Sequence, residues 1–229
     1  MSINHKIPTE LLKCGSISII APHNDDEVLG CFHLMQKLPS SIHIQVILVT
    51  CHDNSLTLTN TRRLESLNAL ESLPNVRFEY WNLPDGNVKG ELSGLTQNFI
   101  SLLTTTDFVL CPAISDLTPD HIPIADTALK QVPAKRLIWY RSTWWTFQMR
   151  NADFVVSGSF RDKWRAIKKF ESQKHIKLKR CLWLSCFEHF LYNFRPTSAE
   201  AFLFADEKRL SSSPLNSISL RHLYRVFFW

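Results

Sequence analysis

No apolar run in this sequence approaches the ~18 residues that a membrane-crossing helix needs, and it holds no Cys-x-x-Cys pair and no Gly-x-Gly-x-x-Gly loop. The first absence excludes a helical membrane span. The second argues against thioredoxin-type redox chemistry and paired-cysteine zinc sites. The third removes the dinucleotide-binding fingerprint. Glycine is scarce, with six in 229 residues, and neither a Gly- or Ser-rich linker nor an internal repeat is present. The chain therefore reads as a single domain over residues 1–229. Its opening stretch, MSINHKIPTELLKC, lacks the apolar segment of a secretory signal. The expectation is a cytoplasmic protein whose six cysteines, at 14, 31, 51, 111, 181 and 186, stay reduced and mostly buried.

What is present suits a folded enzyme-sized core. Hydrophobic residues make up 45% of the chain, and a charged content of 21% argues against disorder. The net charge of +5 is mild, and the basic residues read as scattered, so no nucleic-acid partner is expected.

Apolar runs of strand length alternate with helical patterns. Strands are expected at SISIIAP (16–22), SIHIQVILVT (41–50), NVRFEYWNL (75–83), DFVLCP (107–112), KRLIWYRS (135–142) and, late in the chain, SAEAFLFADE (198–207). Between them lie helices near 27–37, 59–73, 95–103 and 123–132, then 162–176 and 180–194. In the 59–73 helix, Leu64, Leu67, Leu70 and Leu73 form the apolar stripe, with Asn60 or Thr61 as the cap. Strands alternating with helices of this length imply a mostly parallel sheet covered on both faces. A cluster of serines at 211–213 suggests a loop before the aromatic tail LYRVFFW, which is expected to pack on the domain.

The first strand runs straight into His23, Asp25, Asp26 and Glu27. In a parallel α/β sheet, ligands are met beyond the carboxyl ends of the strands. Thr50–Asp53, Asp85 and Asp116–His121 fall at such ends too, so four distant segments are expected to share one crevice. One acid is enough to cap the following helix; a histidine with three acids exceeds that need. His23 and Asp26, completed by His121, would give the open zinc set of two imidazoles and one carboxylate. Iron suits the same donors. A metal there acidifies a bound water, and Asp25 could take the proton.

The segment APHNDDEVLGC resembles the Ala-His-Pro-Asp-Asp-Glu signature of the PIG-L/LmbE family of zinc-dependent de-N-acetylases. Further motifs follow in register: TRRLESLNAL, with Arg62, Glu65 and Ala69; LPDG at 83–86; TPDHIPIADTAL, similar to a His-x-Asp-His segment; and SAEAF near 200. The resemblance implies a Rossmann-like three-layer fold without nucleotide. It implies one divalent metal, zinc, held by His23, Asp26 and His121, and Asp25 as the base that later returns its proton to the amine. It places Arg62 and Asp85 on sugar hydroxyls and Asp120 behind a ligand histidine. The implied substrate is an N-acetylated, GlcNAc-like amino sugar of a glycoconjugate or its precursor.

Two positions depart from the pattern. Asn24 replaces proline, with little expected consequence. Thr118 stands where many members carry a histidine that helps the oxyanion, so either the metal alone polarises the carbonyl or another residue, such as His52, supplies the donor. Trp144 and Trp145 are candidates to stack on a sugar ring. The basic helix with Lys163, Arg165, Lys168 and Lys169 is either a solvated face or a contact for a substrate phosphate. A zinc amidase acting on a non-sugar amide and a carbohydrate-binding protein without turnover are the competing expectations.

Overall fold

The computed structural model describes residues 4–51, 55–142, 146–173, 178–193 and 197–205. His52, Trp144, Trp145 and the C-terminal tail lie outside these residues. In chain order the elements are α1 (Thr9–Lys13), β1 (Ser16–Ala21), α2 (Asp26–Lys37), β2 (His43–Cys51), α3 (Leu56–Ala69) and β3 (Val76–Pro84). They continue with α4 (Leu92–Leu102), β4 (Phe108–Pro112), α5 (His121–Gln131), β5 (Leu137–Tyr140), β6 (Phe154–Gly158), α6 (Phe160–Ile167), α7 (Leu178–Asn193) and β7 (Ser198–Phe204).

The seven strands among the described residues form one sheet in the order β3-β2-β1-β4-β5-β7-β6. Pairing is parallel from β3 to β5, and β7 runs antiparallel to both its neighbours. The period of two along each strand sorts side chains into two cores. Ile17 and Ile19 of β1, with Ile44, Val46 and Leu48 of β2, pack under α2, α6 and α7. Ile20, Ile47 and Val49 face the opposite way and meet Leu95 and Phe99 of α4 and Ile124 and Ala128 of α5. This is the expected three-layer α/β arrangement. Strand order reverses between β1 and β4, so the chain leaves these adjacent strands in opposite directions and opens a crevice at their carboxyl ends.

Several local expectations are corrected. Ser55, not Asn60 or Thr61, caps α3, its hydroxyl accepting the N–H of Leu58 at 3.1 Å. Leu64 and Leu67 are exposed, and α3 buries Thr59, Glu65, Ser66 and Ala69 instead. Its C-terminal end, with Ala69 and Leu70, still meets the apolar core, while Glu65 and Ser66 face the polar partners Ser172 and Asn24. The basic helix is shorter than its charge pattern suggested, and β6 was not legible beforehand. Lys163 is no solvated residue. It is buried, donating to the carbonyl of Leu29 (2.7 Å) and to Glu200 Oε1 (2.6 Å), while Glu200 also accepts the N–H groups of His33 and Leu34. That ion pair fastens α6 to β7, and the backbone groups of Leu29, His33 and Leu34 bring α2 into the same network. All six cysteines are free, and Cys31, Cys111 and Cys186 are buried.

Candidate metal and catalytic site

The turn from β1 into α2 carries the first group. Asp25 occupies the helix N-cap position, yet its carboxylate makes no capping bond. Its backbone lies at φ 144°, a region that an L-residue enters only at a cost of roughly 1–3 kcal/mol. Glu27 steadies it: the Asp25 N–H donates to Glu27 Oε2 at 2.9 Å. The carboxylate, free of a capping role, lies close enough to Asp26, His23 and His121 to feel their charges. Asp26 Oδ2 accepts the N–H of His23 at 3.0 Å, fixing the carboxylate beside the ring.

The second group comes from the start of α5, across the β1/β4 reversal. His121 Nε2 lies 3.2 Å from Asp26 Oδ2 and 3.3 Å from His23 Nδ1, and His23 Nδ1 lies 3.5 Å from Asp26 Oδ2. A tetrahedral zinc with bonds of about 2.0–2.1 Å sets its donor atoms about 3.3–3.4 Å apart. The triangle of His23, Asp26 and His121 therefore fits one divalent cation. Charge points the same way. Burial opposes charge on His121, but Asp116 and Asp26 outweigh it and lift the ring to about 10. His23 is likewise raised against burial by Asp120, Asp26 and Asp85. Two protonated rings 3.3 Å apart repel; a single metal ion satisfies the same acids without that repulsion.

Both rings are held from behind. Asp120 Oδ2 lies 3.2 Å from His23 Nε2 and accepts the Gly86 N–H at 2.7 Å, while Oδ1 accepts the Val88 N–H at 3.2 Å. It thus ties the Pro84–Gly86 turn to the site. Asp116 Oδ2 lies 2.9 Å from His121 Nδ1 and accepts the Ser142 hydroxyl. Its other oxygen accepts both the N–H (2.9 Å) and the hydroxyl (2.8 Å) of Thr118. Asp116 and Ser142 had no assigned role in the sequence; a carboxylate five residues before the histidine forms no recognisable spacing. The Thr118 hydroxyl hydrogen is committed to Asp116, the acid behind His121. A second acidic group, His23 with Asp85 and Asp120, also clusters here and shares His23 with the first.

Asp25 is buried beside this triangle. Burial first, and then the charge of Asp26, raises its carboxyl well above the usual range. Asp26 moves the other way, because His121 and His23 outweigh its burial. Two neighbouring acids are thus pushed apart, one suited to carry a proton and one to remain an anion. Arg62 from α3 reaches Asp85 Oδ2 at 3.4 Å, and Asp85 Oδ1 lies 3.5 Å from His23 Nε2. Arg62 Nε is buried without a partner. Glu65 accepts the N–H and hydroxyl of Ser172, both at 2.7 Å, and Gln173 Nε2 donates to the carbonyl of Asn24. The α6–α7 connection is thereby fastened to the site.

The sequence model of the PIG-L family, described as GlcNAc-PI de-N-acetylase, matches residues 18–132. No curated protein matches the chain. Among solved structures, the N,N'-diacetylchitobiose deacetylase of Pyrococcus horikoshii is similar at 17% identity and a TM-score of 0.65, covering 94% of this chain and 92% of its own. A deacetylase of teicoplanin biosynthesis is similar at 16% identity and a TM-score of 0.63, with 84% and 99% covered. The 4-carboxy-2-hydroxymuconate hydratase of Pseudomonas putida is also similar, at 13% identity and 0.61, with 82% and 95% covered. A hydratase sharing the architecture shows that the fold alone does not select the reaction.

Proposed function

The chain belongs to the PIG-L family, and from that premise we propose that it is a metal-dependent hydrolase that removes the acetyl group from an N-acetylated, GlcNAc-like amino sugar of a glycoconjugate or its precursor. The observation that carries this reading is the 3.2–3.5 Å triangle of His23 Nδ1, Asp26 Oδ2 and His121 Nε2 with the buried Asp25 beside it.

A divalent cation held by those three residues, zinc by preference, supplies Lewis acidity that polarises the amide carbonyl and acidifies a water. Asp25 accepts the proton of the attacking water. As the water oxygen bonds to the acyl carbon and the C–N bond breaks, Asp25 returns that proton to the departing nitrogen. The products are acetate and the free amino sugar. An elevated carboxyl pKa suits this two-way traffic. At the rim, Arg62 offers donors and Asp85 an acceptor to sugar hydroxyls. Asp120 and Asp116 orient the two imidazoles, as partners behind metal ligands usually do. Thr118 acts through Asp116 in this scheme, so the departure at 118 leaves the metal ligands intact.

The test is acetate release from a panel of N-acetylated amino sugars, by metal-loaded and chelator-stripped protein, alongside elemental analysis. Release that depends on one bound metal, with zinc outperforming iron, is expected. Metal-loaded protein that frees no acetate from any sugar would overturn the proposal.

A further inference from the structure

The net charge of the chain is not spread over it. Residues 160–193 hold nine lysines and arginines against three acids, a net of +6, while the whole chain totals +5. The other residues therefore sum to −1, and the basic character belongs to the α6–α7 unit. Lys163 is internal and paired. Arg161, Arg165, Lys168, Lys169, Lys179 and Arg180 are exposed.

The same unit exposes large apolar side chains. Trp183, Phe187 and Leu191 are 60%, 60% and 55% exposed and follow one another at i, i+4 and i+8, which places them in one stripe along α7. The opposite side of α7 is the one that packs, through Leu178, Leu182 and Cys186. The stripe continues onto α6 as a run of rings: Trp183 lies 5.0 Å from Phe160, which stacks on Trp164 at 5.6 Å, and Lys179 Nζ sits 5.4 Å over the Trp164 ring. No described helix is long and apolar enough to cross a membrane. Together α6 and α7 present a tryptophan, a phenylalanine and a leucine in one exposed stripe beside lysines and arginines, a combination suited to a lipid–water interface.

We propose that the α6–α7 face docks the protein on an anionic lipid surface, with Trp183, Phe187 and Leu191 entering the headgroup region and the surrounding lysines and arginines meeting lipid phosphates and carboxylates. Arg165 and Lys169 pair with Asp162 and Glu71, but Arg161, Lys168, Lys179 and Arg180 remain exposed. This charge selects an anionic lipid surface over an apolar protein groove, which would leave those cations facing apolar surface. The aliphatic Leu191 and the depth of the apolar stripe select it over a nucleic acid, which offers flat bases and phosphates. Through Ser172 and Gln173 the face is fastened to Glu65 and Asn24, so docking sets the catalytic crevice at a fixed place relative to the bilayer.

The experiment is co-sedimentation of the purified full chain with vesicles of phosphatidylcholine, with and without phosphatidylserine, and it needs no enzymatic activity. Binding to the phosphatidylserine vesicles alone, weakened by salt, is expected. Lys168→Ala with Arg180→Ala should weaken it roughly 30-fold, about fivefold per charge. Trp183→Ala with Phe187→Ala should weaken it at least tenfold, while Leu56→Ser on α3, more exposed still but outside the face, leaves it unchanged. All these positions are on the surface, and unaltered thermal unfolding verifies the fold. The proposal is overturned if phosphatidylserine vesicles do not bind at low salt, or if both double variants bind like the parent. It is also overturned if the Trp183/Phe187 change instead dissociates a dimer, or if single-stranded RNA outcompetes vesicles through the same residues.

Discussion

Asp116 Oδ2 lies 2.9 Å from His121 Nδ1, so the ring that completes the metal triangle is oriented by an acid five residues upstream and not by its neighbour Asp120. Asp116→Asn removes the charge and keeps the shape. Loss of such a partner typically costs 10–100-fold in metal affinity. Competition of the parent and variant against a chelating metal indicator checks this. Equal affinities would separate Asp116 from the metal site.

Thr118 supplies two hydrogen bonds to Asp116, and the side-chain one is lost in Thr118→Val. The expected result is weaker metal binding by roughly tenfold or less, the scale of one such bond. At saturating metal, kcat should change little. A large kcat loss with full metal occupancy would mean that the hydroxyl acts on the substrate itself.

Asp25→Asn should retain the metal and lose turnover by roughly 100-fold or more, the usual scale of general acid–base work. Metal content and kcat are measured on the same preparation. Parent-like turnover would reduce Asp25 to a helix-terminal residue.

His33 gives a stability test away from the metal. Burial outweighs the charge of Glu200 and pushes the ring down to about 4 from its ordinary 6.5. Between those values the unfolded chain binds a proton that the fold refuses. Stability is therefore fully present above pH 6.5 and is lost as pH falls towards 4, by on the order of 3 kcal/mol. His33→Gln should flatten the pH dependence of the denaturant midpoint across that window. An unchanged slope would show that His33 takes up its proton without penalty.

Gly30 lets α2 close on the sheet. A Cβ there would lie 2.3 Å from Cδ2 of the fully buried Tyr140, whose hydroxyl donates to the carbonyl of Ile20 at 2.8 Å. Overpacking of this kind costs about 1–3 kcal/mol, against about 1 kcal/mol gained in helix propensity. Gly30→Ala should lower the urea midpoint, and a raised midpoint would show that Tyr140 can yield.

Local order was written in the chain itself. The continuous run from Val46 to Val49 reads as a strand covered on both faces, because alternate residues must all find apolar neighbours. The acids after Ile20 stood at a strand end, where this fold class meets ligands. Sequence spacing also placed His23 and Asp26 within one turn of each other. It could not determine which surface α3 turns inward: Leu64 and Leu67 fit a helical stripe, yet the buried face holds Glu65 and Ser66, because the neighbouring packing partners are Asn24 and Ser172. Nor could it join Asp116 to His121 and Ser142, or Lys163 to Glu200. Periodicity reports which side of an element is apolar. Polar partners far apart in sequence depend on strand order, and here the reversal between β1 and β4 alone brings His121 to within 3.3 Å of His23.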